Sequence, residues 1–119
     1  MNFSHLIILR LENLCIAIIG LSLYYHFAFD WMFFLYCILL PDLSILAYAF
    51  NNRIGALSYN LGHNYIFPSL LILLCIFLSQ PILLSIGLIW IIHIGLDRAL
   101  GFGLKHAHNF KSTHLNLNN

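Results

Sequence analysis

Between Arg53 and Asp97 this chain has no Lys, Arg, Asp or Glu. It carries five basic and four acidic residues in 119, so charged residues make up 8% against 61% hydrophobic. Soluble domains average about 25% charged residues. A small fold also leaves too much of its surface exposed to hide this much apolar side chain from water. A water-soluble globule is thereby excluded, and one small all-α membrane domain is the expected class. A net charge of +1 also excludes the basic surface that nucleic acid requires. Cysteine is scarce as well. Cys15, Cys37 and Cys75 lie in separate apolar runs with neither metal-type nor redox spacing, which leaves them as small packing residues.

What the chain does have is long apolar runs. A helix crossing the hydrocarbon of a bilayer needs about 20 apolar residues, and four such spans are predicted, over 6–27, 31–50, 54–78 and 81–100. Ser79-Gln80-Pro81 separates the last two, because proline suits a first helical turn and not a helix interior. The first span is expected to be retained. Glu12 interrupts its basic start, and bulky Leu23-Tyr24-Tyr25 stands where a cleaved leader needs small residues. With four spans, both termini and the loop around Asn51-Asn52-Arg53 share one side. All five Lys and Arg fall on that side, which the positive-inside rule makes cytoplasmic. A polar tail, 101–119, follows the glycines Gly101 and Gly103. Its His106, His108 and His114 are read as solvated, with His114 the one that a tail folded back over the site would bring in.

Against this apolar background a few polar residues stand out. Asp42, His63, His93 and Asp97 lie within the predicted spans, where ionisable groups are costly and mark functional sites. At 1.5 Å per residue, they and Glu12 sit roughly 6–14 Å from the cytoplasmic boundary, so helices of opposite direction place them in one layer. His93 and Asp97 are four apart and share a helical face, as do Asn60, His63 and Asn64 on the third span. Pro41 is expected to kink the second span beside Asp42 and to free the carbonyl of Cys37; Pro68 is expected to act similarly on the third. Arg10 and Glu12 are two apart and point differently, Arg10 toward the interface and Glu12 inward. Two carboxylates and two imidazoles suit a divalent metal such as zinc or manganese. Such an ion can polarise a substrate oxygen or activate water. Glu12 is the candidate base and Asn60 a candidate catalytic partner. Arg10, Ser44, Tyr59, Asn64, Arg98 and His114 complete the polar candidates.

Leu9-Arg10-Leu11-Glu12, Leu40-Pro41-Asp42-Leu43-Ser44 and Tyr59-Asn60-Leu61-Gly62-His63 resemble the family known as domain of unknown function 4260. So does the later stretch His93-Ile94-Gly95-Leu96-Asp97-Arg98, continuing through Ala99-Leu100-Gly101-Phe102-Gly103-Leu104-Lys105 to Phe110 and Thr113-His114-Leu115. The resemblance covers nearly the whole chain and implies a small integral protein of the bacterial inner membrane. More distantly, Leu-Pro-Asp, the central histidine and His93-x-x-x-Asp97 are similar to the LexA-regulated, membrane-bound metal-dependent hydrolases. That likeness implies metal ligation by Asp42, His63, His93 and Asp97. Ser44 stands where those hydrolases have a second aspartate, and Tyr59-Asn60 replaces part of their histidine segment, so a two-metal site would lack ligands; the likeness leaves open one metal, or the fold kept without the activity.

Three functions follow as expectations. The first is metal-assisted hydrolysis of a lipid-like or phosphoester substrate at a site facing the cytoplasm. The second is a proton- or cation-coupled transporter or relay, which four short helices would form as a homo-oligomer. The third is a small accessory subunit bound to a larger membrane partner. In each the lipid bilayer is the standing partner.

Overall fold

The computed structural model describes residues 2–102, and beyond them the backbone of 105–106 and 109–113. Four segments, Phe3–His26, Trp31–Ala49, Asn52–Leu78 and Pro81–Ala99, are long and apolar enough to cross a membrane. The predicted spans match these closely at their ends, but two of the four are not uninterrupted α-helices. The elements in order are α1 (Phe3–His26), α2 (Trp31–Cys37), a 3-10 segment (Leu40–Ala49), α3 (Asn52–Gly62), α4 (Ile66–Leu78) and α5 (Pro81–Ala99). A short antiparallel ladder, β1 (Lys105–His106) with β2 (Asn109–Thr113), lies in the polar tail.

The caps follow from side chains. Asn2, Asp30 and Asn51 each accept a backbone N–H at the start of α1, α2 and α3, satisfying a donor that the helix cannot. Pro81 opens α5 in its first turn, as expected.

Helix α5 is the centre of the bundle. Its Ser85, Gly87, Leu88, Ile89, Ile92, His93, Ile94 and Gly95 are buried, with α1 on one side and α4 on another. Close approach rests on small residues, as lipid supplies no hydrophobic drive between helices. Gly95 faces the backbone of Asn13 and Ala17 on α1, Gly20 faces Ile92, and Gly87 faces Ile72. Tyr24, Leu88, Ile89 and Ile92 form the packed core at the far end, where the Tyr24 hydroxyl donates to the Asp30 carbonyl.

The second span departs from the α-helix in a readable way. From Leu40 to Ala49 it is a 3-10 helix, an unusually long run of that geometry. Pro41 has no N–H, and the Asp42 N–H donates to the Leu39 carbonyl three residues back at 3.0 Å. Three residues per turn then give a threefold pattern, with Leu43 and Leu46 on the outside and Asp42, Ile45 and Tyr48 on another face. Gly55 of α3 packs directly on the Tyr48 ring, where a Cβ would meet ring carbons.

The third span is broken at 63–65, between α3 and α4. The expected Pro68 distortion is therefore displaced. Pro68 sits in the first turn of α4, where its missing N–H costs nothing, and the interruption falls one turn earlier, at His63.

Candidate metal centre

The site is assembled from three interruptions or faces. Asp42 comes from the first turn of the 3-10 segment, His63 from the break after α3, and His93 and Asp97 from one face of α5. Their ligand atoms lie within 4.8 Å of one another. His63 Nε2 is 2.9 Å from Asp42 Oδ1, 3.1 Å from His93 Nε2 and 3.5 Å from Asp97 Oδ2. His93 Nε2 is 3.1 Å from both Asp42 Oδ1 and Asp97 Oδ2. For metal–ligand bonds near 2.0–2.1 Å, tetrahedral geometry places ligand atoms about 3.3–3.4 Å apart. The five separations bracket that value.

Each imidazole is oriented from behind. His63 Nδ1 donates to the Tyr59 carbonyl at 2.9 Å, and the Tyr59 ring stacks on His63 at 3.7 Å and 7°. A carbonyl only accepts, so Nδ1 carries a proton, and Nε2 is the ring atom turned to the centre. Behind His93 lies the Ile38 backbone carbonyl. The carbonyl there has no helical claimant: the Asp42 N–H is taken by Leu39, and Pro41 has none to offer. The freed carbonyl was expected at Cys37; the 3-10 geometry makes Ile38, one residue on, the useful one. Two imidazole Nε2 atoms and two carboxylates thus converge, a set of donor atoms that a cation or shared protons would hold together. Backbone-held histidines of this kind are the usual outer support of metal ligands. The two histidines are almost fully buried, while Asp42 is 36% and Asp97 21% exposed, so access is from the carboxylate side.

The remaining polar candidates divide. Arg98 is not paired with Asp97: it donates to the His63 carbonyl at 3.2 Å and lies over the Tyr65 ring, fixing the broken segment. Asn64 is structural. Its amide donates to the carbonyls of Asn60 and Leu61, and its Oδ1 accepts from Ile66 N–H, so one side chain closes α3 and opens α4. Replacing Asn64 by Ala should cost about 1–3 kcal/mol, the usual penalty for stranding such groups. Denaturant titration of the protein in detergent, followed by helical ellipticity, measures it. Ser44 donates to the Pro41 carbonyl at 2.8 Å, inside its own segment. Asn60 is half-buried one turn before Asn64 and is engaged in interactions of its own. His114 lies outside the described residues.

Glu12 and Arg10 correct the expected orientation. Glu12 is on the exposed face of α1 and Arg10 is half-buried, beside Gly101. The inward stripe of α1 is Leu6, Asn13, Ala17, Gly20 and Tyr24, set by the small residues that touch α5. Glu12 falls outside it. The polar residue that does turn inward is Asn13, which is absent from the sequence-derived candidates. Its Oδ1 accepts from the Tyr65 hydroxyl at 2.5 Å and its amide donates to the Leu9 carbonyl. Trp90 is absent from them too: its indole N–H donates to the Gly62 carbonyl at 2.6 Å, tying α5 to the end of α3. For Trp90 the available signal was an amphipathic residue one turn before His93; α1 carries no member of the cluster, so Asn13 had no such signal.

No curated protein and no solved structure matches the chain. A family model does, over residues 6–117, nearly the whole length and all four residues of the cluster. The chain belongs to the family described as Domain of unknown function (DUF4260).

Proposed function

We propose that this protein is a membrane-embedded metal-dependent hydrolase acting on a lipid-like or phosphoester substrate at a polar site facing the cytoplasm. The observation that carries it is the convergence of Asp42, His63, His93 and Asp97, with the His63 imidazole held from behind by the Tyr59 carbonyl. The donor set of two nitrogens and two oxygens suits zinc or manganese. When bound, such an ion supplies Lewis acidity toward a substrate oxygen or water. The protein's own part is orientation. Tyr59 fixes the His63 ring, Arg98 fixes the chain at His63, and the partly exposed carboxylates face the side from which a substrate arrives. The clustering of all five Lys and Arg at one end supports a cytoplasmic placement of the termini and insertion in the bacterial inner membrane.

The test is metal content. Protein purified in detergent is expected to carry about one zinc or manganese per chain, and the Asp42→Ala, His93→Ala double variant close to none. Equal, negligible metal in both removes the proposal. A second reading is favoured by the same carboxylate–imidazole contacts: without metal they suit a proton relay. Proton flux in liposomes that is abolished by Asp42→Asn, from protein lacking metal, would select it.

A further inference from the structure

Beside the four ligands, a groove of about 220 Å³ runs between the second span and α5, lined by Cys37, Leu40, Pro41, Ile86, Ile89 and Trp90. Its lining contains no charged residue and adjoins the site in sequence. Pro41 precedes Asp42 directly, and Ile89 and Trp90 lie one helical turn before His93. The second span and α5 run in the same direction, so every one of these residues lies farther than the ligands from the end that carries the termini. The groove therefore extends from the polar layer toward the middle of the membrane. Trp90 is held in its wall by the bond to Gly62, and Leu40, 52% exposed, stands at the opening to the bilayer.

We infer that this groove holds one acyl chain of a membrane lipid whose oxygen-rich head lies at Asp42, His63, His93 and Asp97. The order of polarity, head toward the membrane surface and chain toward its centre, is that of a lipid in the adjoining leaflet. The substrate class of the site is thus an acyl lipid. For its head group the inference rests on the metal reading, but for its chain it does not.

The experiment uses the full-length protein in detergent with dioleoylphosphatidylglycerol as the probe, read by native mass spectrometry. The wild type is expected to retain one lipid per chain. Ile86→Trp, which fills the groove without touching a ligand, is expected to reduce that adduct at least tenfold while metal content stays at the wild-type value. An undiminished adduct in folded Ile86→Trp protein overturns the inference. Should that variant lose its helical signal, a second measurement decides. Trp31→Phe leaves Trp90 as the one tryptophan of two, and its fluorescence is followed with phosphatidylglycerol brominated along the chain. Quenching that saturates at one lipid per protein supports the groove, and quenching that rises without saturation overturns it. The two readings separate cleanly. A lipid adduct that is lost in Ile86→Trp but accompanied by no metal in any sample keeps the groove and removes the metal; bound metal with an unchanged adduct does the reverse.

Discussion

Asp97→Asn is expected to lower the affinity for zinc or manganese by at least about 100-fold, with helical content unchanged. Asparagine keeps the shape and one carbonyl oxygen but removes the formal charge. Even substitutions that only support a ligand cost about 10–100-fold in affinity, so loss of a charged ligand belongs at or beyond the upper end. Metal binding also stabilises the folded chain, because the unfolded chain has no assembled site. At a free concentration 100 times the dissociation constant the gain is about 2.7 kcal/mol. Metal added to the wild type should therefore raise the melting temperature, and the same addition to Asp97→Asn should raise it little. Asp30→Asn is the matched control. Asp30 caps α2 at the opposite end by accepting from Met32 N–H, and asparagine caps a helix about as well as aspartate. Titration calorimetry on the three proteins reads the result. Equal affinities in Asp97→Asn and the wild type would falsify ligation by Asp97.

The sequence made the ligand set legible because lipid leaves so little freedom. Charged and imidazole groups in an apolar span are costly against lipid and mostly face the protein interior, though Glu12 does not, and the fixed rise of a helix converts their positions into depth. That sufficed to group Asp42, His63, His93 and Asp97, which the structure brings within 4.8 Å. Rotation about the helix axis was less legible. A two-residue offset says that Arg10 and Glu12 diverge but not which of them faces α5; that is decided by where Ala17 and Gly20 permit contact. Backbone form was the least legible. Pro41 and Pro68 each announced an irregularity, yet Pro41 produced a ten-residue 3-10 segment, while Pro68 proved harmless inside a first turn. The break at His63 depends on the Asn64 side chain and on Arg98 reaching from α5. No local pattern reports such long-range partners.

Gly95→Leu is expected to be the most damaging single substitution outside the ligand set. A Cβ at this position would lie 2.8 Å from the Asn13 carbonyl oxygen and 3.1 Å from both the backbone nitrogen and the Cβ of Ala17. Those first two atoms are backbone, so no side chain can swing aside; α1 and α5 must separate. Overpacking a core ordinarily costs about 1–3 kcal/mol, and Gly95→Ala should fall in that range. A leucine forces a displacement of the whole helix pair, so the loss should exceed about 4 kcal/mol, a large share of the 5–15 kcal/mol that holds most domains folded. The effect also reaches the site, because Gly95 lies midway between His93 and Asp97 on the same helix. Moving α1 pulls Asn13 from Tyr65, and Tyr65 is the ring beneath Arg98. The variant should therefore lose both its cooperative thermal transition and its metal. Leu74→Ala, at a position 52% exposed on α4, should stay within about 0.5 kcal/mol of the wild type. Thermal melts and metal analysis of the three proteins in one detergent check the ordering. A Gly95→Leu protein that melts like the Leu74→Ala control would show that the α1–α5 contact is not what holds the bundle, and with it the ligands, in place.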